Sequence, residues 1–432
     1  MNARIAAVSR RTFAAMRFRN YRLYFVSQIV SFSGTWMAML AQSWLVLELT
    51  GSGTALGAVV AMQFLPTMLL APIGGVIADR FDKRRLITIT QSAAATLALL
   101  LGVLTITDTI ELWMLYVIAA MFGSVTALDN PARQTFVMEM VGPDDVSNAV
   151  TLNSVVVNGA RVIGPAVGGI LIATVGIGQC FLINAASFVA VIVALRMMTS
   201  DELHPTERTV RGRGQLREGL RYAWSVPHLR TTLIMLVIIG TITYEFTVTL
   251  PLLSEFTFSA GSSGLAAMTA LMGAGAVIGG LVVASTGNPS PHRLVVIAAA
   301  FGVVTGALAL MPTLWAALAL MPLLGACSVA VISLSNAMLQ LNSAPMFRGR
   351  VMALFSVALL GSTPIGGPIV GFIGEHASPR VAIGIGGLAS IAAALIGWYS
   401  FAKAGEMTSR RRVEIPATPE LTQPVISASA GS

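Results

Sequence analysis

Long apolar runs, each ended by a short polar gap, recur along this whole chain. Twelve are long enough to cross a bilayer, which takes about 20 mostly apolar residues. They predict spans at residues 23–49, 54–78, 85–107, 112–132, 148–175, 179–198, 231–253, 261–285, 292–311, 314–337, 350–374 and 380–402. Only the sixth gap, 199–230, is long. The sharpest interruption is the second: six charges fall between Asp79 and Arg85, whereas residues 23–78 carry only Glu48 and residues 86–107 carry none. Such a knot predicts a tight turn between two membrane spans.

Composition agrees. Of 432 residues 55% are hydrophobic and 11% charged, against about 25% charged in soluble domains. The net charge of +8 does not point to nucleic acid, because the basic residues sit in gaps between apolar runs. With the amino terminus inside, the inner segments hold Arg80, Lys83, Arg84, Arg85, Arg133, the Arg208–Arg230 group, Arg293, Arg348, Arg350 and Lys403. The outer gaps hold Asp108, Glu111, Glu255 and Glu375, with Arg380 their only base. This asymmetry predicts both termini on the cytoplasmic side of a cell membrane. Trp44, Trp113 and Trp315 fall near the outer interface, and Trp398 and Tyr399 near the inner one, where amphipathic rings settle.

Several other chemistries are excluded. Cys180 and Cys327 stand far apart and make neither a disulfide framework nor a metal motif, so no metal site is expected. The histidines His204, His228, His292 and His376 all fall in predicted polar gaps. Ser9-Arg10-Arg11-Thr12-Phe13 has the look of a twin-arginine signal, but no small-residue cleavage site follows its apolar run, so a basic leader over 1–22 is the better reading. No Gly-x-x-x-x-Gly-Lys-Ser/Thr occurs, so ATP is not a direct driver.

The chain also repeats itself. Ile73-Gly74-Gly75-Val76 recurs as Ile278-Gly279-Gly280-Leu281, and Gly164-Pro165-Ala166-Val167-Gly168 recurs as Gly367-Pro368-Ile369-Val370-Gly371. The offsets, 205 and 203 residues, predict an all-α membrane fold of two six-helix halves, 23–198 and 231–402, in parallel orientation. In the linker over 199–230, Leu216, Leu220 and Trp224 recur at helical spacing, which fits an interfacial helix or a short solvated one. The Pro-, Ser- and Thr-rich stretch over 403–432 reads as a disordered tail.

Gly75-Val76-Ile77-Ala78-Asp79-Arg80-Phe81-Asp82-Lys83-Arg84-Arg85 resembles the loop signature of the major facilitator superfamily, Gly-x-Leu-Ala-Asp-Arg-x-Gly-Arg-Lys, with Asp82 where that family has glycine. Asp129-Asn130-Pro131-Ala132-Arg133-Gln134, Asn153, Ala160-Arg161-Val162-Ile163-Gly164-Pro165, Glu218-Gly219-Leu220-Arg221-Tyr222 and Arg348-Gly349-Arg350-Val351-Met352 are similar to the branch of enterobactin exporters and Tap-type multidrug pumps. The resemblance covers residues 15–402 and does not reach substrate. It implies a gate latch at Gly75, Asp79, Arg80 and Arg84, with Arg348 and Arg350 as cross-half partners of Asp79; simple charge anchoring is the competing role. It also implies an antiporter-like motif in span five, Arg161, Gly164, Pro165, Gly168 and Gly169, for which small-residue helix packing is the alternative. Proton-driven relatives carry an arginine where this chain has Ala119.

Charges inside spans are functional candidates by default, since each costs roughly 2.5–3.5 kcal/mol at the bilayer centre. Arg161 shares a face with Ser154, Asn158, Pro165 and Gly168, and fits either a bound anion or a structural ion pair. Glu245, flanked by Thr241 and Thr249, is the first candidate for a proton-coupling group, with Asp129 second; hydrogen bonding of Glu245 to those threonines is the alternative. Gln28, Ser31, Thr35 and Gln42 on one stripe, and Ser333, Asn336 and Gln340 on another, could line a cavity or bond neighbouring helices. Together these features predict a monomeric secondary transporter that uses a proton gradient and no bound cofactor. It would export a small amphipathic molecule such as a drug, siderophore or secondary metabolite. An uptake symporter is the alternative on the same fold, and a non-transporting receptor a more distant one.

Overall fold

The computed structural model describes residues 14–142, 145–204, 215–285 and 289–403; most of the leader, and the tail beyond Lys403, lie outside them. The first six spans are single helices: α1 (Arg19–Thr50), α2 (Gly53–Arg80), α3 (Lys83–Ile106), α4 (Leu112–Val141), α5 (Val146–Thr174) and α6 (Ile177–Arg196). The linker contributes α7 (Gln215–Ser225). Span seven is α8 (Pro227–Ile238) and α9 (Phe246–Leu252), with π-helical turns at Ile239–Thr243 and Leu253–Thr257. α10 (Gly261–Ser285), α11 (Pro291–Ala309) and α12 (Leu314–Leu341) follow. Span eleven is α13 (Arg348–Leu360) and α14 (Thr363–His376), and α15 (Pro379–Lys403) is last. Among the described residues twelve helical segments are long and apolar enough to cross a membrane, as the hydropathy pattern predicts.

Local chemistry sets the turns. Gly51 closes α1 at φ 61°, its N–H bonded to the Leu47 carbonyl, a conformation that glycine adopts at little cost. The charged knot is a two-residue turn in which Asp82 Oδ1 accepts the Arg85 N–H at 2.7 Å. The departure from the family's glycine is thus an N-cap for α3. Asp82→Ala is expected to lose about 1 kcal/mol, and Asp82→Gly only a few tenths, read as unfolding midpoints of the purified protein.

The repeat marks one packing joint built twice. In the first half, a Cβ on Gly74 of α2 would sit 2.1 Å from the Ala127 carbonyl oxygen of α4. In the second, a Cβ on Gly279 of α10 would sit 2.4 Å from the Ala326 carbonyl oxygen of α12. Small residues let each pair of backbones touch.

Three expectations need correction. α4 runs nine residues past its predicted end, to Val141, so Arg133 lies inside a helix and not in an inner gap. Pro131 is accommodated within α4. Spans seven and eleven are interrupted, the latter at Gly361 and Ser362. His228, placed by hydropathy in a polar gap, is buried in the first turn of α8 with its ring 5.9 Å from Phe401.

α7 docks on the second half. Glu218 pairs with Arg350 at 2.8 Å, Tyr222 stacks on Phe347 at 4.3 Å, and the Ala344 N–H donates to the Tyr222 hydroxyl. Leu220 and Trp224 remain exposed.

Candidate functional site

Among the described residues the two halves meet mainly on one side. Near the end opposite the charged turn, α2 lies on α14, where a Cβ on Gly57 would sit 2.3 Å from the Gly367 carbonyl oxygen and one on Gly371 2.2 Å from that of Gly53. α5 meets α10 from that end to mid-span, through Gly169 against Ala266 and Gly273 against the Arg161 main chain. Apolar clusters cross the divide here: Leu40 of α1 packs with Phe246, Leu250 and Leu265, and Val248 and Leu252 pack with Leu45 and Leu56. At the basic end the clusters stay within a half: Tyr21, Tyr24, Phe136 and Met140 in one, and Ala223, Leu229, Val351 and Phe355 in the other.

One carboxylate fastens the closed end. Glu375 Oε2, on α14, accepts the Ser52 hydroxyl at 2.7 Å and the Thr54 N–H at 2.8 Å. It therefore caps the amino terminus of α2 from the other half, where negative charge is favoured. Glu375→Gln is expected to loosen this end. In a background without native cysteines, spin labels at Leu49→Cys and Ala377→Cys, both exposed, should then show a longer-distance population; an unchanged distribution would argue against a latch.

Within the first half, Asp129 and Arg133 form a buried ion pair on consecutive turns of α4. Asp129 Oδ1 also accepts the Thr90 hydroxyl at 2.6 Å and the Gln91 side-chain amide at 3.1 Å, both from α3. Arg133 donates to Gln28 of α1 and lies over the Phe32 ring. Ser31, Thr35 and Gln42 line the adjoining cavity, of about 140 Å³, with Asn130 and Asn184. Gln28 is thus committed to Arg133, whereas Thr35 is exposed and bonds the Ser31 carbonyl.

Glu245 is 2% exposed and stands where span seven breaks. The flanking threonines do not serve its carboxylate: Thr241 donates to the Val237 carbonyl and Thr249 to the main-chain carbonyl of Glu245. The carboxylate instead faces span eleven, beside the Thr363 side chain that begins α14, and Oε1 has no hydrogen-bond partner. Gly366 permits the approach, since a Cβ there would lie 2.9 Å from Glu245 Oε1 and 1.9 Å from the Thr241 carbonyl oxygen. A π-helical turn beside a buried carboxylate is the kind of irregularity found at working sites.

Arg161 is at the middle of α5. Its guanidinium carbon lies 4.9 Å from the centre of the Trp36 ring, its Nε is buried without a hydrogen-bond partner, and no salt bridge to it occurs among the described residues. The rest of the span-five motif is packed on two sides: Gly164 and Gly168 against α1 at Trp36 and Met37, and Gly169 against α10. Pro165 lines a small cleft between the halves with Trp36, Ser43, Thr247 and Thr269.

The side chains of Asp79 and Asn158 lie outside the described set. Gly75 is buried in α2, Arg80 and Arg348 are exposed, and Arg350 is held by Glu218. Arg84 donates to Ser200 Oγ and the Arg196 carbonyl, and Lys83 pairs with Glu139 of α4. The second-half stripe is local: Gln340 donates to Asn336 one turn away. The sequence reading missed Thr90, Gln91 and Trp36, which carry no charge, and the cross-half role of Glu375. Asp129 and Arg133, four apart, held a signal that the predicted end of span four at residue 132 concealed.

A description of transmembrane secretion effectors matches residues 10–428 of the chain. The multidrug efflux pump Tap of Mycolicibacterium fortuitum is 26% identical over 365 residues, covering 80% of this chain and 88% of that protein. The staphyloferrin A transporter of Staphylococcus aureus is 31% identical over 176 residues, 40% of this chain and 44% of that one; in such stretches of higher identity the chain spans about half, or less, of the relative's length. A variant of the nucleoside transporter NupG superimposes with a TM-score of 0.73 at 13% identity, over 89% of this chain and 100% of that one, a likeness of fold. The branch read from the spaced motifs is therefore borne out.

Proposed function

We propose an export function for this chain, which belongs to the transmembrane secretion effector family of the major facilitator superfamily. Its substrate is a small amphipathic molecule, moved across the cell membrane by alternating access while protons move the opposite way. The observation that carries this reading is the one-sided closure: the halves are bridged by glycine seams and by Glu375 at one end, and their apolar clusters stay separate at the other. With the basic end in the cytoplasm, as the arginine distribution argues, the cleft opens to the cytoplasm and is ready to load. Rocking the two halves would break the Glu375 latch, and Asp79 with Arg80 would then fasten the cytoplasmic side. The direction is supported by the name of Tap, a multidrug efflux pump, and by the span-five motif.

Glu245 suits proton exchange better than Asp129, because it alone of the two lacks a cationic partner. Everted membrane vesicles supplied with a panel of amphipathic dyes provide the test. Export predicts dye uptake into these vesicles that collapses when the proton gradient is dissipated. Accumulation by intact cells instead would favour the symport alternative and sink the proposal.

A further inference from the structure

We infer that Arg161 and Trp36 form an anion-recognition site at the head of the central cleft, so that the transported molecule carries an acidic group beside an aromatic or aliphatic body. This deepens the export reading and rests on it for the word transported.

Arg161 stands about 15 residues into the 29-residue α5, so at 1.5 Å per residue it is roughly 20 Å from either end of the helix. A guanidinium at that depth is costly unless something answers it. The buried arginine of the first half is answered: Arg133 has Asp129 and Gln28. Among the described residues Arg161 has only the face of the Trp36 ring, 4.9 Å away, a contact that takes none of its N–H donors. Its Nε is buried and unused. A planar fork of donors with no acceptor among the described residues matches a carboxylate, sulfonate or phosphate, which such a fork binds bidentately. A lipid headgroup does not suit it, since headgroup phosphates lie at the helix ends.

The surroundings supply the rest of the molecule's outline. Gly164 seats α5 on α1 so closely that a Cβ would meet Trp36 Cβ at 2.6 Å, which fixes the ring beside the guanidinium. Trp36 also lines the inter-half cleft with Leu40, Leu250 and Met272, where Ser43, Thr247 and Thr269 are the small polar exceptions. An acidic head at Arg161 would thus place an apolar body in that cleft.

The full-length protein, purified in detergent, tests this by equilibrium dialysis against three probes sharing one ring system: 1-naphthoate, 1-naphthylmethanol and 1-naphthylmethylamine. Wild type should bind naphthoate about tenfold more tightly than the alcohol or amine, and Arg161→Gln should erase that preference. Arg161→Lys should keep part of it. Trp36→Leu, which retains the charge, should weaken all three probes and preserve their order, so the proposal stays open to test should Arg161→Gln fold poorly. Equal affinity of the three probes for wild type, no naphthoate binding at millimolar concentration, or an anion preference that survives Arg161→Gln would overturn the site. Naphthoate bound through Arg161 but never moved by everted vesicles would sink the export reading and leave the anion site standing. Export of amines alone, indifferent to Arg161, would do the reverse.

Discussion

Glu245→Gln is expected to abolish efflux driven by an imposed proton gradient, a fall of about tenfold or more, while leaving substrate exchange at equal pH within about twofold. The substitution keeps the volume and the neighbour Thr363, and removes only the ability to bind and release a proton. The reasoning rests on the contrast between two buried carboxyls. Asp129 is held by Arg133, Thr90 and Gln91, so any proton arriving there must first displace an ion pair. Glu245 has an unpartnered Oε1 and faces the interrupted stretch of span eleven, where a proton can come and go without dismantling a structural pair. Reconstituted vesicles with a pH-sensitive dye inside would record proton counterflow alongside the flux of whichever probe the everted vesicles move best. Proton counterflow in Glu245→Gln equal to wild type would remove Glu245 from the coupling path. Loss of exchange together with driven efflux would point to a binding or folding defect instead.

Much of this architecture is legible in one dimension because a bilayer imposes a length on each apolar run. Twelve runs, the tight charged turn and the glycine repeat all register on that scale, and all have their counterparts in the structure. What hydropathy cannot convey is where a helix keeps going despite a polar or cyclic residue. Pro131 and Arg133 together look like an exit from the membrane, yet α4 passes through both because Asp129 neutralises the arginine one turn away. The breaks in spans seven and eleven are silent for the opposite reason: Ile239–Thr243 and Gly361–Ser362 are apolar or small, so nothing in composition marks the change in winding. Contacts between halves are the least legible. Glu375 looks like an ordinary outer acid until its partners, Ser52 and Thr54, are brought to it from more than 300 residues away.

Arg133→Gln should be among the most destabilising single changes in the first half. Breaking a buried ion pair from one side leaves an unanswered charge, at a cost of about 3–5 kcal/mol, whereas one hydrogen bond between membrane helices averages about 0.6 kcal/mol. Thr90→Val, which removes the 2.6 Å bond to Asp129, is therefore expected to be several times milder. Asp129→Asn combined with Arg133→Gln should recover much of the loss, because neither partner is then a stranded charge. Abundance in membranes and the thermal midpoint of purified protein rank the three. The proposal of a structural pair fails if Arg133→Gln comes within about 1 kcal/mol of wild type, below the range for a stranded charge. The pair matters mechanically because of what it spans: Arg133 reaches Gln28 on α1 while Asp129 holds Thr90 and Gln91 on α3. Three helices are thereby fixed to one buried point, and a half that is to rock as a unit against its partner needs that stiffness. Loosening it should let individual helices slip before the halves separate, so that the small fraction of Arg133→Gln protein that does fold would show leak in place of gated transport.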